Sequence, residues 1–277
     1  MIERFLIEQG YSKETKDKYR RVLLELIDTV EDLSALDAVD LLAFVDRAEW
    51  GNSAQYVALA GCKAFLRWRY GAYHPALQAR LRREKSKRQR RLSADQALRL
   101  LSSFDPSTPK GSRDLAIASL ALDTGLRVSE LCRVTIANTD LTRLQLQVII
   151  KGGEWGGAVF SQQTAFYLSA WLDRRRAFAR ADVETVFVSV GGTTVGKALT
   201  RSGLQLTVKR WGESIGIRLS PHDFRRTFAV LTTQNGAPSR VVQIAGRWSD
   251  IEKVELYTRE LEQSAISPYL PVSNLLR

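Results

Sequence analysis

Cysteine is scarce in this chain, with Cys62 and Cys132 the only two in 277 residues. They lie far apart and neither belongs to a Cys-x-x-Cys pair, which excludes a zinc knuckle or a disulfide framework and predicts a reducing compartment. Histidine is as rare, His74 and His222 only, and no His, Asp and Glu cluster has the spacing of a metal-dependent nuclease, so no metal is expected. Long apolar runs are missing too. The longest, Leu115 to Leu122, is too short to cross a bilayer, and Glu3, Arg4 and Glu8 interrupt any signal-peptide core within the first ten residues. A cytoplasmic protein is expected. The last shortage is of negative charge: 30 Asp and Glu stand against 41 Lys and Arg, a net +11. Such an excess suits a polyanionic partner, nucleic acid before membrane, because no basic amphipathic helix with a broad apolar face stands out. A basic surface without a partner is the competing reading.

With 44% hydrophobic residues, a chain of 277 should hold two domains with real cores. Residues 1–80 read as all helix. Ser12 is placed to cap a helix that buries Tyr19, Val22, Leu23, Leu26 and Ile27, with Lys13, Lys16, Lys18, Arg20 and Arg21 mostly off that stripe. Leu41, Leu42, Phe44 and Val45 suggest a third helix, and Asn52 or Ser53 caps a fourth that runs to Tyr70. There Arg67 and Arg69 alternate with Trp68 and Tyr70, a pattern that buries aromatics on one side and offers guanidinium groups to DNA on the other. Residues 81–91 read as a linker. From Arg80 onward, Arg82, Arg83, Lys85, Lys87, Arg88, Arg90 and Arg91 stand against Glu84 alone, a density suited to a phosphate backbone or to a nuclear-import signal.

A second unit is expected over 92–277. Ser93 to Gln96 caps a helix through Leu101, and Gly111 to Thr124 forms a more buried one that Gly125 ends, leaving Arg127 just beyond a helix terminus. Glu130 either orients the Arg127 guanidinium or caps the short helix that follows. Alternation of Leu144, Leu146 and Val148, then a Gly-rich turn and Gly156 to Phe160, predicts a β-hairpin with Lys151 at its turn. A helix over Ser161–Ala179, a strand over Val183–Val190 and an amphipathic helix over Arg201–Ile215 with Leu204, Leu206, Val208 and Trp211 buried come next. His74, before Pro75, reads as a structural turn residue. The tail from Ser267 carries Tyr269, Leu270, Val272, Leu275 and Leu276, suited to a partner-binding arm or to local packing.

Three short segments bear on chemistry. Pro221-His222-Asp223-Phe224-Arg225-Arg226-Thr227-Phe228-Ala229 follows a helix-starting Ser220, and its His222 and Arg225, three apart, can grip a phosphate together. Upstream is Thr124-Gly125-Leu126-Arg127-Val128-Ser129-Glu130-Leu131, and downstream are Gly246-Arg247-Trp248 and Tyr257. Together, and in this order, they resemble the tyrosine recombinase (phage integrase) family over Leu92 to about Leu261.

The resemblance implies a mainly α chain with a small β-sheet: a helical, SAM-like core-binding domain that clamps DNA, followed by a mixed α/β tyrosine-recombinase catalytic domain. It implies Tyr257 as nucleophile, Arg127 and Arg225 gripping the non-bridging phosphate oxygens, His222 on the same phosphate or on the tyrosine proton, and Lys151 as the proton donor to the leaving 5′ oxygen. Ile150 stands before Lys151 where the family commonly has glycine. Trp248, nine residues before Tyr257, takes the family's His/Trp position as in Cre-like members, and Arg247 is an extra charge, a phosphate contact or a surface residue. The implied reaction is site-specific recombination of double-stranded DNA through a 3′-phosphotyrosyl link and a Holliday junction, in a homotetramer on synapsed sites, with accessory proteins left open and no metal, ATP or other cofactor. A simple-site, Cre- or Xer-like type is favoured over integrases with an added arm-binding domain. A type IB topoisomerase and a non-catalytic DNA-binding regulator on the same scaffold are the alternatives. Lys85, Lys87, Arg88, Arg90, Arg67, Arg69 and Arg247 are the candidate DNA contacts.

Overall fold

Small polar side chains set where most helices start, and the computed structural model describes the outcome for residues 1–47, 50–82, 90–150 and 153–258. The chain divides into two compact units, Met1–Lys87 and Arg88–Arg277. Among the described residues no helix is long and apolar enough to cross a membrane.

The first unit is helical: α1 (Ile2–Glu8), α2 (Lys13–Thr29), α3 (Ala38–Val45), α4 (Asn52–Tyr70) and a 3-10 turn at Pro75–Gln78. The Ser12 hydroxyl accepts from the Thr15 N–H, and Asp37 accepts from Val39 and Asp40, so α2 and α3 begin on satisfied caps. Helix α4 is capped by the residue before the expected Asn52 or Ser53: Gly51 takes the extended cap conformation without a side-chain acceptor, and Asn52 is already helical. Phe5, Leu6, Leu23, Leu26, Leu41, Phe65 and Leu66 fill the core. Trp68 leans on Phe5 and Phe65 and donates its indole N–H to Glu8 at 2.7 Å, while Ile27 is left partly exposed at the edge of the stripe. His74 is buried; its Nδ1 accepts from the Ala76 N–H, which leaves the proton on Nε2 for the Leu33 carbonyl at 2.8 Å. This is the structural role expected of it.

The second unit opens with α5 (Ala94–Ser102), whose Ser93 and Gln96 form a reciprocal capping box, and α6 (Pro109–Thr124), capped by Thr108 and buried along almost its whole length. After the single turn α7 (Val128–Leu131) comes an antiparallel sheet of β1 (Thr139–Asp140), β2 (Gln145–Ile149) and β3 (Trp155–Val159), in that order. The expected hairpin is β2–β3, with Leu146 opposite Ala158 and Val148 opposite Gly156 on the buried side. Strand β1 is an addition of two residues, too short to leave a pattern. Helix α8 (Gln162–Arg175) stops before Ala179, and Arg175 folds back to donate to the carbonyls of Val183 and Thr185.

That fold-back accounts for a correction. Val183–Val190 is no strand but extended chain with isolated bridges, Thr135 to Thr185 and Val188 to Ala198. Acceptors that a neighbouring strand would use are taken by Arg175, by the Trp171 indole N–H on Val186 and by Arg113 on Val188. Helix α9 (Arg201–Ser214) buries Leu204, Val208 and Trp211, whereas Leu206, two residues from each of the first two, lies on the opposite face and is exposed. Three helices close the described chain: α10 (Pro221–Gln234), α11 (Ser239–Gly246) and α12 (Glu252–Thr258). Between them Phe228, Ala229, Val242, Trp248 and Val254 form a small core of their own, with Tyr257 at its rim.

Candidate active site

Two helix ends meet an arginine here. Helix α6 ends at Gly125 in the left-handed conformation (φ 56°), where a Cβ would lie 2.6 Å from the Phe228 ring, so glycine is required twice over. The last carbonyls of α6 and of α11 have no partner within their helices and carry the negative end of the dipole. Arg225, on α10 and only 2% exposed, answers both: Nη1 donates to the Gly125 carbonyl at 2.6 Å and Nη2 to that of Gly246. Its guanidinium carbon lies 4.2 Å from the centre of the Trp248 indole. Burial, then the charges of Arg127 and Arg247, bring its pKa down to about 9, which still leaves the group cationic at neutral pH.

Trp248 reaches this place because Gly246 has no side chain; a Cβ there would fall within the indole's own volume. The indole stacks on Phe228 and meets the ring of Tyr257 at 5.8 Å. Close to that ring stands His222, whose Nε2 is 3.5 Å from the Tyr257 Oη. Burial and the charges of Arg226, Arg225 and Arg127 lower the His222 pKa against a smaller opposing pull from Asp223, so the imidazole is neutral at pH 7.

Glu130 performs both of the roles left open by the sequence. One carboxylate oxygen accepts the Arg127 N–H at 2.8 Å, capping α7, and the other accepts Arg127 Nη1 at 2.7 Å, so the guanidinium is aimed by a carboxylate that is itself almost wholly buried. More than a third of the Arg127 side chain, 37%, stays exposed. Ser220 and Asp223 start α10 together, the carboxylate accepting both the N–H and the hydroxyl of Ser220.

Arg127, His222, Arg225, Trp248 and Tyr257 are therefore gathered on one patch, with Glu130 behind Arg127. Lys151 lies outside the described residues, as do Lys85, Lys87 and Arg88 and the tail from Arg259. Arg67 and Arg69 are exposed on α4 of the first unit. Arg90 is exposed, and its carbonyl accepts from Arg226. Arg247 is no surface charge: its side chain is buried against Thr124, Gly157 and Ala245. Sequence reasoning missed Arg226, which pairs with Asp223 at 3.2 Å and lies 6.0 Å from the centre of the Tyr257 ring. Its three-residue spacing from Asp223 was the available signal. Among the described residues no group of three His, Cys, Asp or Glu side chains is arranged to hold a metal ion.

The patch thus sets a phenol 3.5 Å from an imidazole, with the guanidinium groups of Arg225 and Arg226 beside them. Residues 90–264 match the model of the phage integrase family. The chain belongs to that family, the tyrosine recombinases. It is 27% identical to the tyrosine recombinase XerD of Staphylococcus epidermidis over 282 residues, covering 93% of each chain. In fold it resembles the Tn1549 transposon integrase in complex with transposon right end DNA (TM-score 0.77, 14% identity, 100% of this chain and 99% of that one). It also resembles the XerH site-specific recombinase bound to palindromic difH substrate (TM-score 0.73, 19% identity, 93% and 80%). Neither a topoisomerase nor a non-catalytic regulator is favoured by these likenesses.

Proposed function

We propose that this tyrosine recombinase cuts and rejoins double-stranded DNA at specific sites through a covalent 3′-phosphotyrosyl intermediate formed on Tyr257. The observation that carries the reading is the 3.5 Å approach of the Tyr257 hydroxyl to His222 beside the buried Arg225. In the reaction, the Tyr257 oxygen attacks the scissile phosphorus, its proton passes to His222, and the bond to the 5′ oxygen breaks as Lys151 protonates it. Arg127 and Arg225 hold the two non-bridging oxygens; an arginine has five N–H donors, so the bonds that fix Arg225 to Gly125 and Gly246 leave others for phosphate. The phosphotyrosyl bond conserves the energy of the phosphodiester, so religation by a 5′ hydroxyl needs no nucleotide. Trp248 does not exchange protons; it seats Arg225 and Tyr257 against each other.

The first unit, residues 1–80 in this reading, clamps the duplex through α4, residues 81–91 run along its backbone, and the tail serves contacts between protomers. Four protomers on two synapsed sites exchange strands in pairs through a Holliday junction, in the simple-site manner of Xer-type recombinases, in the cytoplasm. A duplex nicked near the scissile phosphate tests the reading, because loss of the short fragment that carries the freed 5′ hydroxyl prevents religation. The native chain should accumulate on it as a covalent DNA adduct, and Tyr257→Phe should form none while binding the duplex almost as well. An adduct that survives the substitution removes Tyr257 from the role.

A further inference from the structure

Arg247 ends α11 with φ 56° and ψ 44°, in the left-handed region. An L side chain is strained there, and glycine is the residue such a helix end ordinarily holds. Its guanidinium offsets that strain. Nη1 donates to the carbonyls of Ala245 (2.7 Å) and Gly157 (3.1 Å), and Nη2 donates to that of Thr124 (3.0 Å) and lies 4.0 Å from Glu130 Oε2. This Glu130 oxygen is the one that accepts the Arg127 N–H. The partners therefore belong to α11, β3, α6 and α7.

The aliphatic stem matters as well. A Cβ on Gly156 would come within 3.1 Å of Arg247 Cδ, so β3 rests directly on the side chain. Gly156 pairs with Val148 and Gly157 with Gln147, and Lys151 follows the end of β2 by two residues in sequence. With its Nη atoms committed to carbonyls and its side chain 6% exposed, Arg247 is placed to hold protein to protein rather than to meet DNA.

We propose that Arg247 is a positioning residue that fixes the β2–β3 hairpin, and with it Lys151, to the Arg127–Glu130 pair and the end of α6. The inference rests on the reading of Lys151 as proton donor to the leaving oxygen. It predicts that loss of Arg247 harms the departure of that oxygen more than the attack by Tyr257.

The test compares two nicked duplexes, one ordinary and one with sulfur replacing the bridging 5′ oxygen at the scissile phosphate. A thiol ionises near pH 8.5 and leaves without a donated proton, which an alcohol does not. Arg247→Gly relieves the backbone but gives up the hydrogen bonds to Thr124, Ala245 and Gly157, two opposing effects that should leave its melting point close to the native one, and it should bind DNA comparably. Adduct formation on the ordinary duplex should slow about 10- to 100-fold, with most of the rate recovered on the sulfur duplex. Arg247→Lys, one point donor in place of a fork, should fall between. Should the glycine variant melt lower, Arg247→Asn, which also tolerates the left-handed backbone, repeats the measurement. A native rate for the fold-competent variant on the ordinary duplex, or equal losses on both duplexes, overturns the inference. Lys151→Ala separates the two layers. If it recovers on sulfur and the Arg247 variant does not, the inference alone fails; if Lys151→Ala is indifferent to sulfur, the proton-donor reading fails first and takes the inference with it.

Discussion

The guanidinium of Arg225 is held in a fixed orientation: its carbon lies 4.2 Å from the centre of the Trp248 indole, and its two Nη atoms donate to the ends of α6 and α11. Lysine offers a point charge that cannot span two carbonyls and an aromatic face. Arg225→Lys is therefore expected to slow adduct formation by about 100-fold or more, the loss seen when one preorganised donor to a developing oxyanion is removed. It should also destabilise the fold by about 1 to 3 kcal/mol, because one buried helix-end carbonyl goes unpaired. Adduct kinetics and thermal melting of the same variant check the two halves separately.

His222 supplies a pH signature. Burial first, and then Arg226, Arg225 and Arg127, hold its pKa below the ordinary 6.5. The neutral ring that can accept the Tyr257 proton thus persists to lower pH than in a free histidine, and adduct formation should hold its rate down to 6.5 and fall only below it. Arg226→Gln removes the strongest of the depressing charges and should move that acid limb to higher pH, whatever it does to the plateau; His222→Gln should abolish the limb. Stability follows the same linkage: as pH drops through 6.5, the unfolded chain binds a proton that folded His222 does not, so the fold weakens until the folded pKa is reached. An acid limb that ignores Arg226→Gln would separate His222 from the rate.

Much of this was legible because the signals were local. Ser12 and Ser93 cap the helices they precede, Gly125 stops α6, and Arg127 and Glu130 meet within one turn. What escaped depends on partners distant in sequence. Val183–Val190 has the composition of a strand, yet Arg113, Trp171 and Arg175 claim its carbonyls, and no pattern within the segment announces them. Arg247 reads as a spare charge beside Trp248 until α6, α7 and β3 close around it. Leu206 shows the opposite failing, an apolar residue counted toward a core that helical spacing turns away from.

Gly125 and Phe228 are coupled. An alanine at position 125 would be strained by the left-handed backbone and would press its Cβ into the Phe228 ring. Gly125→Ala is expected to cost about 2 to 5 kcal/mol, of which the backbone share is about 1 to 2 and the overpacking share about 1 to 3. Phe228→Leu in the same chain should return part of the second share and none of the first. Melting measurements on both single variants and the double variant give the coupling directly; strict additivity would mean that the ring moves aside freely.

Arg67 and Arg69 make the clamp reading quantitative. Both are exposed near the end of α4, but residues two apart on a helix do not share a face, and Trp68 between them points into the core against Phe5. If α4 lies lengthwise along the duplex, only one of the two guanidinium groups can reach a phosphate. Each phosphate contact contributes about 0.9 to the slope of log K against log salt, so one of Arg67→Ala and Arg69→Ala should lower that slope by about 1 and the other should leave it unchanged. Arg69, whose guanidinium lies over Tyr70 at 5.2 Å, already has a partner in the free protein, which makes Arg67 the one expected to matter. Equal reductions would mean that α4 meets DNA end-on through its last turn, and two unchanged slopes would take the helix off the duplex altogether.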